Sequence, residues 1–421
     1  MQYLSIKQFV IALVTVTAVL TCGGLRSVNA GDYEVAGEAG FEQRYFFEDA
    51  LLEQQQRAQA SVYLQPEFTY SWNEGDDRLV IKPFTRLDQH DSERTHYDLR
   101  EFSWSHFGSN WEMVAGVSKV FWGQAESLHL VDIINQTDAV ESADGEDKLG
   151  QPMVNFSYFS DYGRFSAFVL PYFRERTFAS LDGRMTPPFM IDTDNPLYAD
   201  DDQQSHLDYA LRWQHSLGNW DIGVSYFDGT NREPMFVQGI DSNSNQLMLT
   251  PFYSQIQQVG IDVLSVVDSW LFKFEGIYRK DDGVNLPTAL LSSVEDEFYA
   301  GVVGFEYTHV GLLDSQYDLG WLMEYQYDER ENTAFVFGQN DLMLGFRLIF
   351  NDVDGTEILL GTVQDLDHSG SYTGFIEASS RITDQWKWKL DAYFFGSSGM
   401  LDPLYFLRKE DHIQFSLEYY F

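Results

Sequence analysis

The feature that most constrains this chain is a two-residue alternation of apolar and polar side chains. In the last ten residues, 412–421, apolar and aromatic residues occupy every second position, from Ile413 to Phe421, and the positions between them are mostly polar. Alternate side chains of a strand point to opposite faces, so such a segment is dry on one side and wet on the other. The pattern recurs along the chain. Clear examples begin at Leu207, Trp270, Tyr317, Leu342 and Trp386.

The alternation predicts eighteen strands, an even number, as bacterial single-chain barrels require. They lie near residues 33–47, 60–72, 78–88, 95–107, 111–122, 151–160, 163–173, 205–216, 219–228, 255–267, 269–280, 296–309, 315–329, 339–350, 355–364, 370–381, 384–395 and 410–421. The stretch 48–60 is helix-prone, so the first strand is ambiguous and sixteen strands is the alternative count. The fourth strand changes phase between Leu99 and Phe102, which a β-bulge would explain.

The connections between these strands alternate between brief and long. The brief ones, such as 108–110 and 161–162, are rich in turn residues. The long ones, 48–59, 123–150, 174–204, 229–254, 281–295, 330–338 and 396–409, all fall on the other side. Short periplasmic turns and long outer loops are typical of outer-membrane barrels. We therefore predict an all-β fold, a transmembrane antiparallel up-and-down β-barrel.

The first thirty residues have the organisation of a secretory signal peptide. Lys7 precedes a short apolar run, 9–20, and small residues lead to a cleavage site after Ala30. The run is shorter than the roughly 20 residues of a spanning helix. Cys22 suggests a lipoprotein, but Thr21 stands where a lipobox has Gly, Ala or Ser. We predict a signal peptide at 1–30 and a barrel at 31–421.

Composition and charge narrow the location and the partners. Aromatic residues make up 16% of the chain beside a formal net charge of −38. A barrel accounts for both, because its aromatic girdles meet the membrane interface and its lumen is polar. A strongly acidic chain does not suit nucleic acid, whose phosphates need clustered Lys and Arg. We predict the outer membrane as location, and its lipid and lipopolysaccharide, small solutes and further copies of the chain as partners.

Three stretches resemble known families. The closing strand with its terminal Phe421 resembles the last strand of bacterial outer-membrane barrels. The third outer loop, 123–150, resembles in position and length the loop that narrows general porins. The strings at 120–123, 131–138 and 148–153 (VFWG, VDIINQTD and KLGQPM) are similar to a pattern in uncharacterised porin-like barrels of Gram-negative bacteria. This resemblance implies a barrel with a transport role and supplies no catalytic residues.

Charged residues at inward positions are the candidate pore lining, because charges that face lipid near the midplane cost roughly 2–4 kcal/mol. The predicted lining residues are Lys82, Arg86, Arg212, Lys273, Arg279, Glu324, Arg347, Lys387 and Lys389. The loop 123–150 is the candidate constriction. Its apolar residues 128–134 suit the inner wall, and its predicted pore-facing residues are Asp132, Asp138, Glu141, Glu146, Asp147 and Lys148. The alternatives are paired charges that brace the wall and a loop that only shapes the mouth.

Other chemistry has weaker sequence support. Acidic outer-loop clusters at 192–202 and 281–282 have oxygen ligands that suit Ca²⁺, but they lack the Gly and the terminal Glu of an EF-hand loop. We expect no cofactor and no resident metal otherwise. The chain contains no GxSxG, HExxH or P-loop motif, so we predict that it is not an enzyme.

The pattern favours an outer-membrane channel for passive diffusion of small hydrophilic or charged solutes. Two alternatives belong to other classes. One is a structural or receptor barrel that is plugged by its own loops, and the other is an exporter of a polysaccharide. The sequence does not identify the solute or the ion selectivity.

Overall fold

The computed structural model describes residues 31–141, 145–241, 246–281, 289–290, 297–330, 336, 338–400 and 402–421. The predicted signal peptide lies outside these residues. Within the described part of the chain, no helix is long and apolar enough to cross a bilayer.

Eighteen strands form one closed antiparallel barrel, as the alternation predicts. Their bounds are β1 Gly31–Phe46, β2 Ala58–Trp72, β3 Asp77–Asp88, β4 His96–Phe107, β5 Trp111–Ser118, β6 Gln151–Ser160, β7 Gly163–Leu170, β10 Asp208–Leu217, β11 Trp220–Thr230, β14 Gln255–Val267, β15 Trp270–Asp281, β17 Glu297–His309, β18 Asp318–Asp328, β19 Asn340–Ile349, β20 Glu357–Asp365, β21 Tyr372–Arg381, β22 Trp386–Gly396 and β23 His412–Tyr420. Five short strands of the long connections lie between them in the chain.

Each barrel strand pairs with the next one along the chain, and the first pairs with the last. The closing register joins Glu38 to Tyr420 and Phe46 to His412. Gly37 and Phe421 extend this seam by exchanging backbone hydrogen bonds of 3.0 Å in both directions. A Cβ on Gly37 would lie 2.7 Å from the Phe421 ring, so glycine makes room for the terminal aromatic side chain. The ambiguous first strand is therefore a full member, and the count is eighteen rather than sixteen.

The phase change in the fourth strand is a bulge, as predicted. Lys82 pairs with Glu101 and the next residue, Pro83, pairs with Leu99, so Arg100 is the extra residue of β4. Pro83 has no N–H to donate at this point, which is where a sheet tolerates proline. The bulge turns Arg100 into the barrel, where it is 3% exposed, while Leu99 and Phe102 remain on the outer surface.

The connections sort by length between the two ends of the barrel. One end has brief turns such as 108–110 and 161–162, and the other has the long connections. Three long connections pair with one another in a second sheet of β8 Met190–Ile191, β9 Leu197–Tyr198, β12 Met235–Ile240, β13 Leu247–Tyr253 and β16 Ala289–Leu290. Single-strand alternation does not predict pairing between loops, and the sequence analysis missed this sheet.

Two strands end earlier than predicted. β5 stops at Ser118 rather than 122, because the side-chain Oδ1 of Asn135 accepts the Val120 N–H at 2.9 Å in place of a neighbouring strand. β7 stops at Leu170 rather than 173, directly before Pro171, which cannot donate to the ladder. In both cases the chain turns away from the barrel wall.

The outer surface of the barrel is apolar and the inner surface is charged. Trp386 and Phe415 are 39% and 41% exposed on the outside, and so are many other aromatic and aliphatic side chains of the strands. Acids and bases such as Glu275, Arg212 and Glu418 are buried within the barrel. This is the arrangement of a barrel whose dry face meets lipid.

Candidate pore

The connection between β5 and β6, residues 119–150, folds into the barrel; we call it the inward loop. Its apolar residues Trp122, Val131, Ile133 and Ile134 are almost fully buried. They form one apolar cluster with inward side chains of the wall from β6 to β17, namely Met153, Phe168, Leu170, Ala210, Phe227, Ile256, Ile277, Phe298 and Ala300. The loop is therefore attached to one side of the lumen by a packed apolar contact, as the sequence analysis expected.

Two wall carboxylates hold the near part of the inward loop by its backbone. Glu275 of β15 accepts the N–H groups of Gln124 at 2.6 Å, Ala125 at 2.9 Å and Val131 at 3.3 Å. Gly123 has a φ of +139°, and a Cβ there would lie 2.9 Å from Glu275 Oε1, so the turn into the lumen depends on glycine.

Glu324 of β18 acts in the same way one step further along the loop. It accepts the N–H groups of Glu126 at 2.8 Å and Ser127 at 2.9 Å. Glu126 in turn forms ion pairs with Arg347 at 2.5 Å and Lys273 at 3.3 Å. Hydrogen bonds to ionised groups are stronger than those between neutral groups. The carboxylates of Glu324 and Glu126 therefore hold this part of the loop firmly against the wall.

The far part of the inward loop is attached to the wall of β1–β4. Arg86 bridges Glu141 at 2.6 Å and Glu42 at 3.2 Å, and the bulged Arg100 bridges Asp138 at 2.6 Å. All these side chains are nearly fully buried. The loop thus crosses the lumen from the β15–β19 wall to the β1–β4 wall.

The six charged loop residues that the sequence predicts to face the pore differ in their surroundings: some line a cavity and others are buried in the loop. Asp147 and Glu141 line the cavity described next, although Glu141 is held by Arg86. Glu146 lines a second cavity and contacts His129. Asp132 and Asp138 are buried, Asp132 beside Lys148 at 3.5 Å, so they brace the loop and do not face open space.

A cavity of ≈ 640 Å³ lies between the inward loop and the wall of β1–β4 and β19–β23; we call it the charged cavity. Its described lining contains eight Lys or Arg side chains and ten Asp or Glu side chains, so acids are in slight excess. The basic ones are Arg44, Lys82, Arg86, Arg100, Lys119, Arg347, Lys387 and Lys389. Opposed charges of this kind set the field that a passing ion experiences.

The nine predicted lining residues divide into two groups. Lys82, Arg86, Arg347, Lys387 and Lys389 line the charged cavity. The other four point inward and line neither cavity: Arg212 pairs with Asp262, Lys273 with Glu126, Arg279 with Glu233, and Glu324 holds the inward loop. The phase of a strand predicts which face a residue is on, but not whether a loop covers it. Arg44, Arg100 and Lys119 were missed, two of them because they sit at a bulge or beyond a strand end.

A second cavity, of ≈ 540 Å³, adjoins the first and shares Glu126, Leu359, Glu377 and Tyr393 with it. We call it the apolar cavity, because Phe121, Leu128, Met343, Val363, Phe375, Phe395, Leu404 and Leu407 form much of its lining. The sequence analysis did not find it. The available signal was a run of apolar residues on both faces of one strand, as at 392–395.

Two loop groups outside the membrane-spanning strands have shifted protonation. Burial, together with the Arg100 guanidinium, lowers the pKa of Lys119 to about 8. For His129 burial opposes protonation, but the hydrogen bond to Glu146 at 2.9 Å and the nearby carboxylate of Glu275, at 3.9 Å, outweigh it and raise the pKa of His129 to about 10. At neutral pH both groups are therefore positive.

Among the described residues, one group meets the geometry of a metal site: His96, Asp138 and Glu141, with ligand atoms within 4.8 Å of one another. Arg100 and Arg86 already neutralise the two carboxylates, so the group joins β4 to the inward loop without needing an ion. Within the described ranges, the acids of the outer loops do not bring three ligand atoms within 4.8 Å of one another. Calcium binding in those loops stays a prediction.

The comparisons with known proteins agree with the fold. No family model and no curated protein matches the chain. Among solved structures it is similar to a BenF-like porin from Pseudomonas fluorescens, with a TM-score of 0.53, 8% identity, and 93% and 98% of the two chains covered. It is also similar to OccK5 (OpdH) of Pseudomonas aeruginosa, with a TM-score of 0.50, 9% identity and the same coverage. The closed eighteen-strand barrel, its apolar outer surface and these likenesses show the fold of a porin-like transmembrane β-barrel.

Proposed function

We propose that the protein is an outer-membrane channel for passive diffusion of small hydrophilic or charged solutes. The observation that carries this proposal is the charged cavity, which lies inside a closed barrel beside a loop that crosses the lumen. Lys82 and Lys389 of the cavity lining keep 32% and 40% of their side chains exposed although each has a carboxylate partner, and charges inside a barrel are costly to keep unless water and ions reach them. The slight excess of acids favours cations over anions.

The inward loop has the position of a constriction, and we propose that it sets the size limit. It is attached at both walls, through Glu275 and Glu324 on one side and Arg86 and Arg100 on the other. A loop fixed at both ends leaves a narrower and better defined opening than one that hangs from a single wall. Assembly of several copies and contacts with lipopolysaccharide stay predictions.

Planar-bilayer recording on the purified mature barrel tests the proposal. We expect stepwise single-channel openings in KCl and a reversal potential in a salt gradient that shows a modest preference for K⁺. A correctly folded barrel that stays silent would contradict the channel and favour the loop-plugged structural barrel. An ion current that small sugars leave unchanged but that a polysaccharide interrupts would favour the exporter.

A further inference from the structure

The outer halves of β19–β22 carry apolar side chains on the inner face of the barrel. Met343, Val363 and Phe375 line the apolar cavity, while the alternate neighbours Leu344 and Ile376 are 44% and 41% exposed on the outer surface. The inner face of a water-filled barrel is normally polar. An apolar inner face that extends over four adjacent strands needs a partner.

This wall is buried less completely than the wall of β6–β17: Met343 and Phe395 are 1% and 8% exposed, whereas Val363 and Phe375 remain partly exposed. Phe121 and Leu128 of the inward loop reach only the edge of the space, and Leu404 and Leu407 from the connection after β22 close another side. The remaining volume, ≈ 540 Å³, falls within the range of roughly 300–1,000 Å³ that is usual for small-molecule sites.

The charges around this space are mostly negative. Its lining contains Asp341, Asp365, Glu377 and Asp402 beside Glu126 and Glu146, and no Lys or Arg among the described lining residues. His129 is the positively charged group of that described lining, and its Nε2 lies 2.9 Å from Glu146. An apolar ligand with a positive charge complements such a lining, whereas an anion does not.

We propose that the apolar cavity binds amphipathic organic cations, small molecules with an aromatic or aliphatic body and an ammonium group, before they enter the charged cavity. The apolar wall removes the body from water. The rings of Phe121, Phe375 and Phe395 offer faces for the ammonium group, which is attracted to aromatic rings. The carboxylates supply the opposite charge. The role of the site as an entry step depends on the channel proposed above, but the binding itself does not.

Two measurements with defined probes test the site. Phenyltrimethylammonium is the probe, with tetramethylammonium, benzenesulfonate and benzyl alcohol as comparisons that lack the ring, reverse the charge or remove it. Equilibrium binding to the folded barrel in detergent measures affinity, and added probe in bilayer recordings measures the duration of current interruptions. We expect phenyltrimethylammonium to bind at least about tenfold more tightly than each comparison compound.

Variants assign the binding to this cavity. Val363→Thr and Phe375→Ser make the wall polar, and Asp341→Asn removes a charge; each should weaken binding by roughly three- to tenfold. Matched controls are Val353→Thr and Asp201→Asn, at an exposed short turn and in an outer loop, which should bind as the wild type does. Migration of the unheated barrel in detergent gels verifies folding, and Val363→Thr is nearly isosteric if the other variants fold poorly.

The outcomes separate the two proposals. A silent barrel that still binds phenyltrimethylammonium selectively would overturn the channel and support the site. A conducting barrel that binds all four compounds equally, or whose selectivity survives Val363→Thr and Asp341→Asn together, would overturn the site and leave the channel intact.

Discussion

The wall of the lumen from β6 to β17 and the wall from β19 to β22 both carry apolar side chains on their inner faces, but they keep them from water in different ways. On the first wall, Phe227 and Ile256 are 1% exposed because the inward loop covers them with Val131 and its neighbours. On the second wall, Phe375 and Val363 face a cavity. The comparison shows that the inward loop divides one cylinder into a half that it covers and a half that keeps its cavities.

The charges follow the same division. On the loop-covered side, inward Arg212, Lys273 and Arg279 are paired and brace the structure. On the open side, Lys387 and Lys389 line the charged cavity, and Lys389 keeps 40% of its side chain exposed although it pairs with Glu418 at 2.7 Å. Inward position alone therefore does not make a residue part of a passage. An inward residue lines a cavity only where the inward loop leaves it uncovered.

The largest effect should follow when the inward loop loses both wall carboxylates. Glu275→Ala with Glu324→Ala removes the acceptors of five backbone N–H groups, and bonds to charged groups contribute about 1.5–3 kcal/mol each at most. We expect a lower denaturation midpoint and larger, noisier single-channel currents, because the covered half opens. Glu34→Gln, exposed near the start of β1, is the control. Unchanged conductance in a folded double variant would show that the loop does not narrow the passage.

A single buried ion pair should come next in effect. Arg100→Ala leaves Asp138, which is 0% exposed, with Thr177 as a partner but without its guanidinium. Loss of one member of a buried pair costs about 3–5 kcal/mol. We expect that loss in denaturant unfolding and a detached far end of the loop. The double variant Arg100→Met with Asp138→Leu should recover much of the stability. If it does not, the loss in Arg100→Ala comes from disturbance of the β-bulge and not from the unpaired charge.

A smaller effect should appear at alkaline pH through His129. Its pKa is raised to about 10 by Glu146 and Glu275 against the cost of burial, so the protonated form favours the folded loop. The stabilisation is fully present below pH 6.5, the ordinary value, and is lost as the pH rises through 10. We expect current noise to grow across this window. His129→Gln should show no such transition, and an identical transition in the variant would assign it to another group.

The smallest effect should be a change in selectivity through Lys119. Burial and Arg100 lower the pKa of Lys119 to about 8, so this cavity-lining charge disappears between pH 7 and 9 while ordinary lysines remain charged. The preference for K⁺ over Cl⁻ should rise across that interval. Since the lowered pKa means that the folded state binds its proton less readily, the contribution of Lys119 to stability should rise between pH 8 and 10.5 and oppose the loss through His129. Lys119→Met should show the high-pH selectivity at pH 7, and a step that persists in this variant would contradict the assignment.

The sequence by itself determined the barrel. Side-chain alternation has a period of two wherever one face meets lipid, so it marks each strand independently of its neighbours, and all eighteen were found this way. The bulge at Arg100 was visible because it shifts that phase. The apolar run of the inward loop, with Ile133 and Ile134, predicted its packing against the wall because such residues do not stay in open water.

Only the tertiary structure decided which half of the lumen the loop covers. The side chain of Asn135 accepts a hydrogen bond from the N–H of Val120. Glu275 and Glu324 accept hydrogen bonds from backbone N–H groups of a segment about 150 to 200 positions away in the chain. These contacts join residues far apart in sequence and obey no local period. For that reason the sequence placed Arg212 and Lys389 together as pore lining, whereas the structure separates a braced wall from an open one.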